Sequence, residues 1–155
     1  MKINDEVFGG LEFDYSWFKT SKIDFYNKEV EIVILVAGDE EADFEKEQYE
    51  AYKMLIKNWV DIQKIFLSPI LDYYQNKREE LGYDIELNDN YPEIVTIEEI
   101  LEHITLVGIK VPYGELYGGR SIGISFDCTW DSENEIGIRL SDEKVIEVGY
   151  QDVAI

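Results

Sequence analysis

The sequence predicts an α+β protein, an antiparallel sheet made by N-terminal and C-terminal strands and covered by a central helical block. Apolar residues alternate with polar ones in the first and last thirds of the chain, the period of half-buried strands. In the middle third the spacing changes to three and four, the period of an amphipathic helix. Glycine, asparagine and proline clusters fall where one pattern gives way to the next. The 155 residues suit one domain, 1–155.

The first strand pattern sets Leu11, Phe13, Tyr15 and Trp17 against Glu12, Asp14 and Ser16. A second sets Ile23 and Phe25 against Asp24 and Tyr26, and Asn27-Lys28 stands where a two-residue hairpin would turn. Beyond it Val30, Ile32, Ile34 and Val36 face one way while Val33, Leu35 and Ala37 make the other face apolar too. A strand apolar on both faces belongs in the middle of a sheet. Three antiparallel strands are therefore expected before Gly38.

From about Phe44 to Arg78 a stripe runs through Tyr52, Leu55, Trp59, Ile62, Phe66, Pro69 and Tyr73. Pro69 lacks an N–H and crowds the preceding turn, so the helix kinks or restarts there. A break near Asn58 would give two packed helices, favoured over one rod that would overrun a small sheet. LGYDIELNDNYP (81–92) reads as a loop, and Thr96 with Glu99 three residues on reads as a helix start. Val107, Ile109 and Val111 then alternate as a strand, followed by the glycine-rich turn YGELYGGR (113–120). In the last third Ile122, Ile124, Phe126, Cys128 and Trp130 share a face. Ile136, Ile138 and Leu140 form the next strand, 141–144 a turn, and Ile146, Val148 and Tyr150 the last strand.

Thirty-four acids against 14 bases give a formal charge of −20. Such a field repels nucleic acid and anionic membranes and attracts basic partners. The single cysteine excludes an intrachain disulfide and a cysteine zinc cluster. No signal-peptide pattern is visible in MKINDEVFGG, and the longest apolar run, 32–37, is too short to span a bilayer. A cytoplasmic setting is the expectation.

Few residues suggest chemistry. The acids Asp131, Glu133 and Glu135 alternate as in a calcium loop, but the sixth position is Ile136 and the twelfth is Asp142. An EF-hand needs glycine and a bidentate glutamate there. The stretch reads as a hairpin turn, and no metal or cofactor is expected. Asp127, between Phe126 and Cys128, falls on the outer face by parity, where a solvated or ion-paired acid is the plain account. Cys128 reads as a buried, inert thiol. His103, the sole histidine, reads as a cation at a helix C-terminus. No catalytic residue is assigned. The residues proposed for binding are Tyr113, Tyr117 and Arg120 of the glycine-rich loop, types enriched at interface hot spots, with Glu115 of the same loop and Asp131 and Glu133 of the acidic turn.

The motifs FGGLEFDYSWF, EKEQYEAY and ILDYY, the turn Trp130-Asp131-Ser132-Glu133, Gly137-Ile138 and the ending Val145-x-x-Val148-Gly149-x-x-Asp152 run through nearly the whole chain. Together they resemble an uncharacterised family of small acidic bacterial proteins. Such proteins often stand beside polymorphic toxin genes and resemble immunity proteins, with no enzymatic activity attached to them. Around the tryptophan turn the usual pattern has histidine-glycine where this chain has Asn134-Glu135.

The resemblance and the charge together imply a non-enzymatic module that binds a basic protein, such as a nuclease toxin. A hydrolase using paired carboxylates, with or without a divalent cation, is the alternative from another class. An acidic housekeeping protein, its charge serving solubility, is the third.

Overall fold

The computed structural model describes residues 1–114 and 119–154. Among these residues eight strands form one sheet whose spatial order follows the sequence: β1 (Lys2–Asp5), β2 (Gly9–Asp14), β3 (Ser16–Phe25), β4 (Lys28–Val36), β5 (Ile104–Val111), β6 (Ser121–Cys128), β7 (Ile136–Ser141) and β8 (Lys144–Gly149). Helices α1 (Lys46–Lys57), α2 (Trp59–Ile62) and α3 (Leu67–Glu80) fill the excursion between β4 and β5, followed by the short α4 (Ile97–Leu101). The expected α+β class is the one observed.

Four N-terminal strands form where three were expected: the additional one is β1, which pairs antiparallel with β2 from Lys2 opposite Glu12 to Asp5 opposite Gly9. The pattern from Leu11 to Trp17 is two strands, folded about Tyr15 at φ 67°, with Phe13 opposite Trp17 and Asp14 opposite Ser16. A hairpin centred on one residue keeps odd residues on one face of both legs. Alternation therefore runs through the tip unbroken, and Tyr15 stands 97% exposed there. The next hairpin turns at Tyr26-Asn27, one residue before the expected position, with Phe25 paired to Lys28. Both turn residues have positive φ (50° and 66°), as the twist of a two-residue hairpin requires. Gln63 holds Tyr26 in that conformation by accepting its amide hydrogen bond at 2.8 Å.

β4 is central, as its two apolar faces require. It pairs antiparallel with β3 but parallel with β5, over Val33–Val36 against Gly108–Val111. This is the one departure from the expected antiparallel sheet. A parallel neighbour needs a crossover, and the helical block supplies it. Gln48 of α1, 1% exposed, clamps the seam: its Nε2 donates to the carbonyls of Ala37 (2.8 Å) and Val111 (3.3 Å), at the ends of the two strands.

The helical block breaks at Asn58, as expected, and again at a 3-10 turn, Gln63–Ile65. Pro69 lies in the first turn of α3, where its missing N–H costs no helical bond. The two breaks rotate the buried face. Leu55, Trp59, Ile62 and Phe66 are buried as the stripe required, but in α3 the buried residues are Leu67, Ile70, Leu71 and Tyr74 instead of Pro69 and Tyr73. Thr96 caps α4 by accepting from the Glu99 amide at 3.2 Å.

The core lies between these helices and the inner face of the sheet, where Phe25, Phe66 and Phe126 meet at centroid distances of 5.8–6.5 Å. Ile122, Ile124, Phe126, Cys128 and Trp130 are all buried, as the alternation required. Two bulges correct the remaining assignments. One in β5 sends Leu106 and Ile109 inward and takes Val107 out of their phase. One in β8 leaves Ile146 52% exposed, with Val145 and Val148 packed on the core. A bulge adds one residue to one strand, so it shifts parity without leaving a mark in the hydrophobic pattern.

Candidate functional site

The residues proposed for binding do not converge. Tyr113 and Arg120 precede β6, whereas Asp131 and Glu133 follow it, so the length of that strand separates the two groups. Glu115 and Tyr117 lie outside the described residues.

Arg120 is committed within the chain. Its Nε and a terminal nitrogen donate to both carboxylate oxygens of Glu143 at 3.0 Å, and Asp142 Oδ1 stands 3.7 Å away. The Glu143 hydrogen bonds push the guanidinium pKa further up. Glu143 and Asp142 are the turn between β7 and β8, both at positive φ, so the arginine staples that turn to the start of β6. Tyr113 is half-buried beside Gly114, whose amide donates to the side chain of Glu45, the N-cap of α1, at 2.8 Å.

The acidic turn is structural. Asp131 accepts from the backbone and side-chain nitrogens of Asn134, both at 3.1 Å, and its carbonyl accepts from the Glu135 amide at 3.1 Å. Beneath it Trp130 is buried, its ring 4.5 Å from that of Tyr74. The Asn134 carbonyl accepts from the Gln151 amide at 2.9 Å, which ties the turn to the C-terminal 3-10 turn, Gln151–Ala154. Among the described residues no group of three metal-ligating side chains gathers. Burial raises the Cys128 thiol to about 11. His103 lies beyond the end of α4, with Nδ1 2.7 Å from Thr129 Oγ1.

The arrangement that the sequence reading missed is on the outer face of the sheet. A cleft of about 510 Å³ has Gly108 and Ser125 among its lining residues, with Val33, Leu35 and Val107 as apolar walls. Lys110, Asp127, Glu135 and Gln151 also face it. β6 and β7 pair as far as Phe126 and Ile136, and the next rung sets Asp127 beside Glu135. Glu135, in the left-handed region at φ 55°, lines the cleft with Asp127. Burial raises its carboxyl pKa, and the charge and hydrogen bond of Asp127 raise it further. Asp127 is thus on the outer face and exposed, as parity required, and it is also hydrogen-bonded to a second acid, Glu135. The small residues of one parity, Gly123, Ser125, Gly137 and the bulge neighbour Gly108, were the signal available. They leave room above the sheet, and the C-terminal turn occupies part of it: a Cβ on Gly123 would lie 1.9 Å from the Ala154 carbonyl oxygen.

The fold and site define a helix-covered mixed sheet with acidic surfaces and a shallow outer cleft. Residues 7–155 match the family DUF6985, described as a domain of unknown function, and the chain belongs to that family. No curated protein and no solved structure matches it. No described helix is long and apolar enough to cross a membrane.

Proposed function

We propose that this chain is a non-enzymatic binding module for a basic protein, in the manner of an immunity protein that blocks a basic toxin in the cytoplasm. The supporting observation is where the charge lies. The buried polar residues among those described are Gln48, Gln63 and Ser121, with no carboxylate among them. Most of the acids therefore reach solvent, and several of the ion pairs that neutralise some of them are surface pairs, such as Lys46–Glu50 at 3.7 Å. An unneutralised field of this kind raises association rates with a basic partner toward roughly 10⁸–10⁹ M⁻¹s⁻¹.

The test is capture from the native organism, followed by binding kinetics at two salt concentrations. A basic partner whose association slows with salt, and slows further on reversing Glu47, Glu50 and Glu133 to lysine, supports the reading. Capture of only acidic or neutral partners, or a salt-independent association rate, overturns it.

The carboxyl pair favours one second reading, a hydrolase with Asp127 and Glu135 as acid and base. No histidine or cysteine lines their cleft. Turnover of a generic ester, phosphate or glycoside substrate that Asp127→Asn abolishes would establish that reading in place of the first.

A further inference from the structure

The parallel seam between β4 and β5 is short. It begins at Val33 opposite Gly108, although β4 starts at Lys28 and β5 at Ile104. Among the described residues no strand pairs the first half of β4 on the side away from β3, and none pairs Ile104–Leu106 on the side away from β6. The two strands diverge there and leave a notch inside the sheet. It has a volume of about 360 Å³ and is lined by Phe25, Tyr26, Val30, Leu101, Ile104 and Leu106, with Lys28, Glu102 and Thr105 at its lip.

The direction of the free backbone groups follows from the hairpin. A two-residue turn with both φ positive is closed by a pair that exchanges both hydrogen bonds, here Phe25 and Lys28. Bonding then alternates along the ladder, so Lys28, Val30 and Ile32 bond β3, and the N–H and C=O of Glu29 and Glu31 point into the notch. Their side chains stand on the outer face and are exposed. Across the gap the outer face carries Asp127 and Glu135. Lys22, Lys28 and Lys110 only partly offset these acids, Lys22 by a solvent-exposed pair with Glu29 at 3.9 Å and Lys110 from the same outer cleft as Asp127 and Glu135.

We propose that the notch receives an extended segment of a basic partner protein in which basic and apolar residues alternate, adding as a short strand along β4 at Glu29 and Glu31. Alternation places the apolar side chains between Val30, Leu101 and Leu106, and the basic ones on the outer face among the acids. The backbone bonds supply affinity, and the two linings supply selectivity. This rests on the basic-partner reading and names where the partner binds.

The probe is a fluorescein-labelled peptide of alternating lysine and valine, titrated into the full chain with anisotropy and amide-resolved hydrogen exchange as readouts. Saturable binding, with new protection at Glu29 and Glu31, is expected. Methylating alternate peptide amides should weaken it about tenfold by removing backbone bonds. Glu29→Lys with Glu31→Lys, both at exposed positions, should weaken it about threefold at low salt. Equal binding of the methylated peptide, equal binding of a glutamate–valine peptide, protection confined to other strands, or no binding each overturns the proposal. So does the same protection arising from self-association without peptide, which would give the notch to a second copy. A captured basic partner that binds the doubly substituted chain unchanged sinks the notch while leaving the module reading intact. Peptide binding in the notch without any captured basic partner does the reverse.

Discussion

Gly123→Ala should detach the C-terminal turn from the sheet while leaving the sheet in place. A Cβ at residue 123 would lie 1.9 Å from the Ala154 carbonyl oxygen, 2.7 Å from its carbon and 2.9 Å from its Cα, all backbone atoms. Ordinary contact begins near 3.4 Å, so one partner must move by about 1.5 Å. Gly123 cannot yield, because it is paired to Lys110 on one side and Arg139 on the other. The 3-10 turn can, since it follows β8 and belongs to no ladder of the sheet. Lifting it exposes the buried Ala154 and breaks the bond from the Gln151 amide to Asn134. The cost is about 1–3 kcal/mol, bounded above because the segment can leave instead of straining the core. For a chain of this size, a 2 kcal/mol loss lowers the melting temperature by about 4–8 °C. The assay pairs thermal melting with hydrogen exchange of the Gln151 and Val153 amides, and uses Gly10→Ala as control, where an added Cβ meets nothing within 4 Å. An unchanged melting temperature together with unchanged protection at Gln151 would refute the reasoning.

Gln48→Leu should cost about 1–3 kcal/mol, because it leaves the Ala37 carbonyl without its side-chain donor in a buried place; urea midpoints measure this, and a near-neutral result would deny the clamp. Cys128, with its thiol raised to about 11, should have about one part in 10⁴ as thiolate at pH 7 and react with thiol reagents only after denaturant is added. Glu135→Gln should stabilise the chain at neutral pH. A carboxyl whose folded pKa is raised favours the folded state below its ordinary pKa and loses that contribution as pH rises through the folded value, so the advantage of glutamine should vanish as pH falls below the usual carboxylate range. A pH series of melting temperatures with the wild-type and variant curves parallel throughout would count against the pair. Moderate salt should raise stability by screening the −20 charge, and melting in increasing sodium chloride checks the sign.

The alternation at Ile122–Cys128 and Ile136–Leu140 was legible because each strand keeps one parity from end to end. Tyr15, Val107 and Ile146 were not, for related reasons. A hairpin about one residue preserves parity where a reader expects a switch, and a bulge switches it where a reader expects continuity. The parallel pairing of β4 was hidden because a strand apolar on both faces does not say which way its neighbour runs. Of the candidate site, parity placed Asp127 correctly, but its contact with Glu135 depends on strand register and on one left-handed residue, neither of which composition encodes. Gln48 was visible only as a letter in the motif EKEQYEAY. Its function became clear when the helix carrying it was seen to cross the seam.

The seam also bears on how the chain comes to be folded. Every other ladder joins strands linked by a short connection, whereas Val33 and Gly108 are 75 positions apart (108 − 33) across the helical block. Closing a longer loop costs more chain entropy, so the two meanders are expected to form before β4 meets β5. During synthesis the ribosome completes β1–β4 first, and until β5 emerges the apolar strand Val30–Val36 presents an open edge. Nascent chains at that stage are prone to pair with one another. Acids interleaved through the same region, among them Glu29, Glu31, Asp39, Glu40 and Glu41, make two such intermediates repel. Charge of one sign beside the open edge thus opposes pairing between unfinished chains.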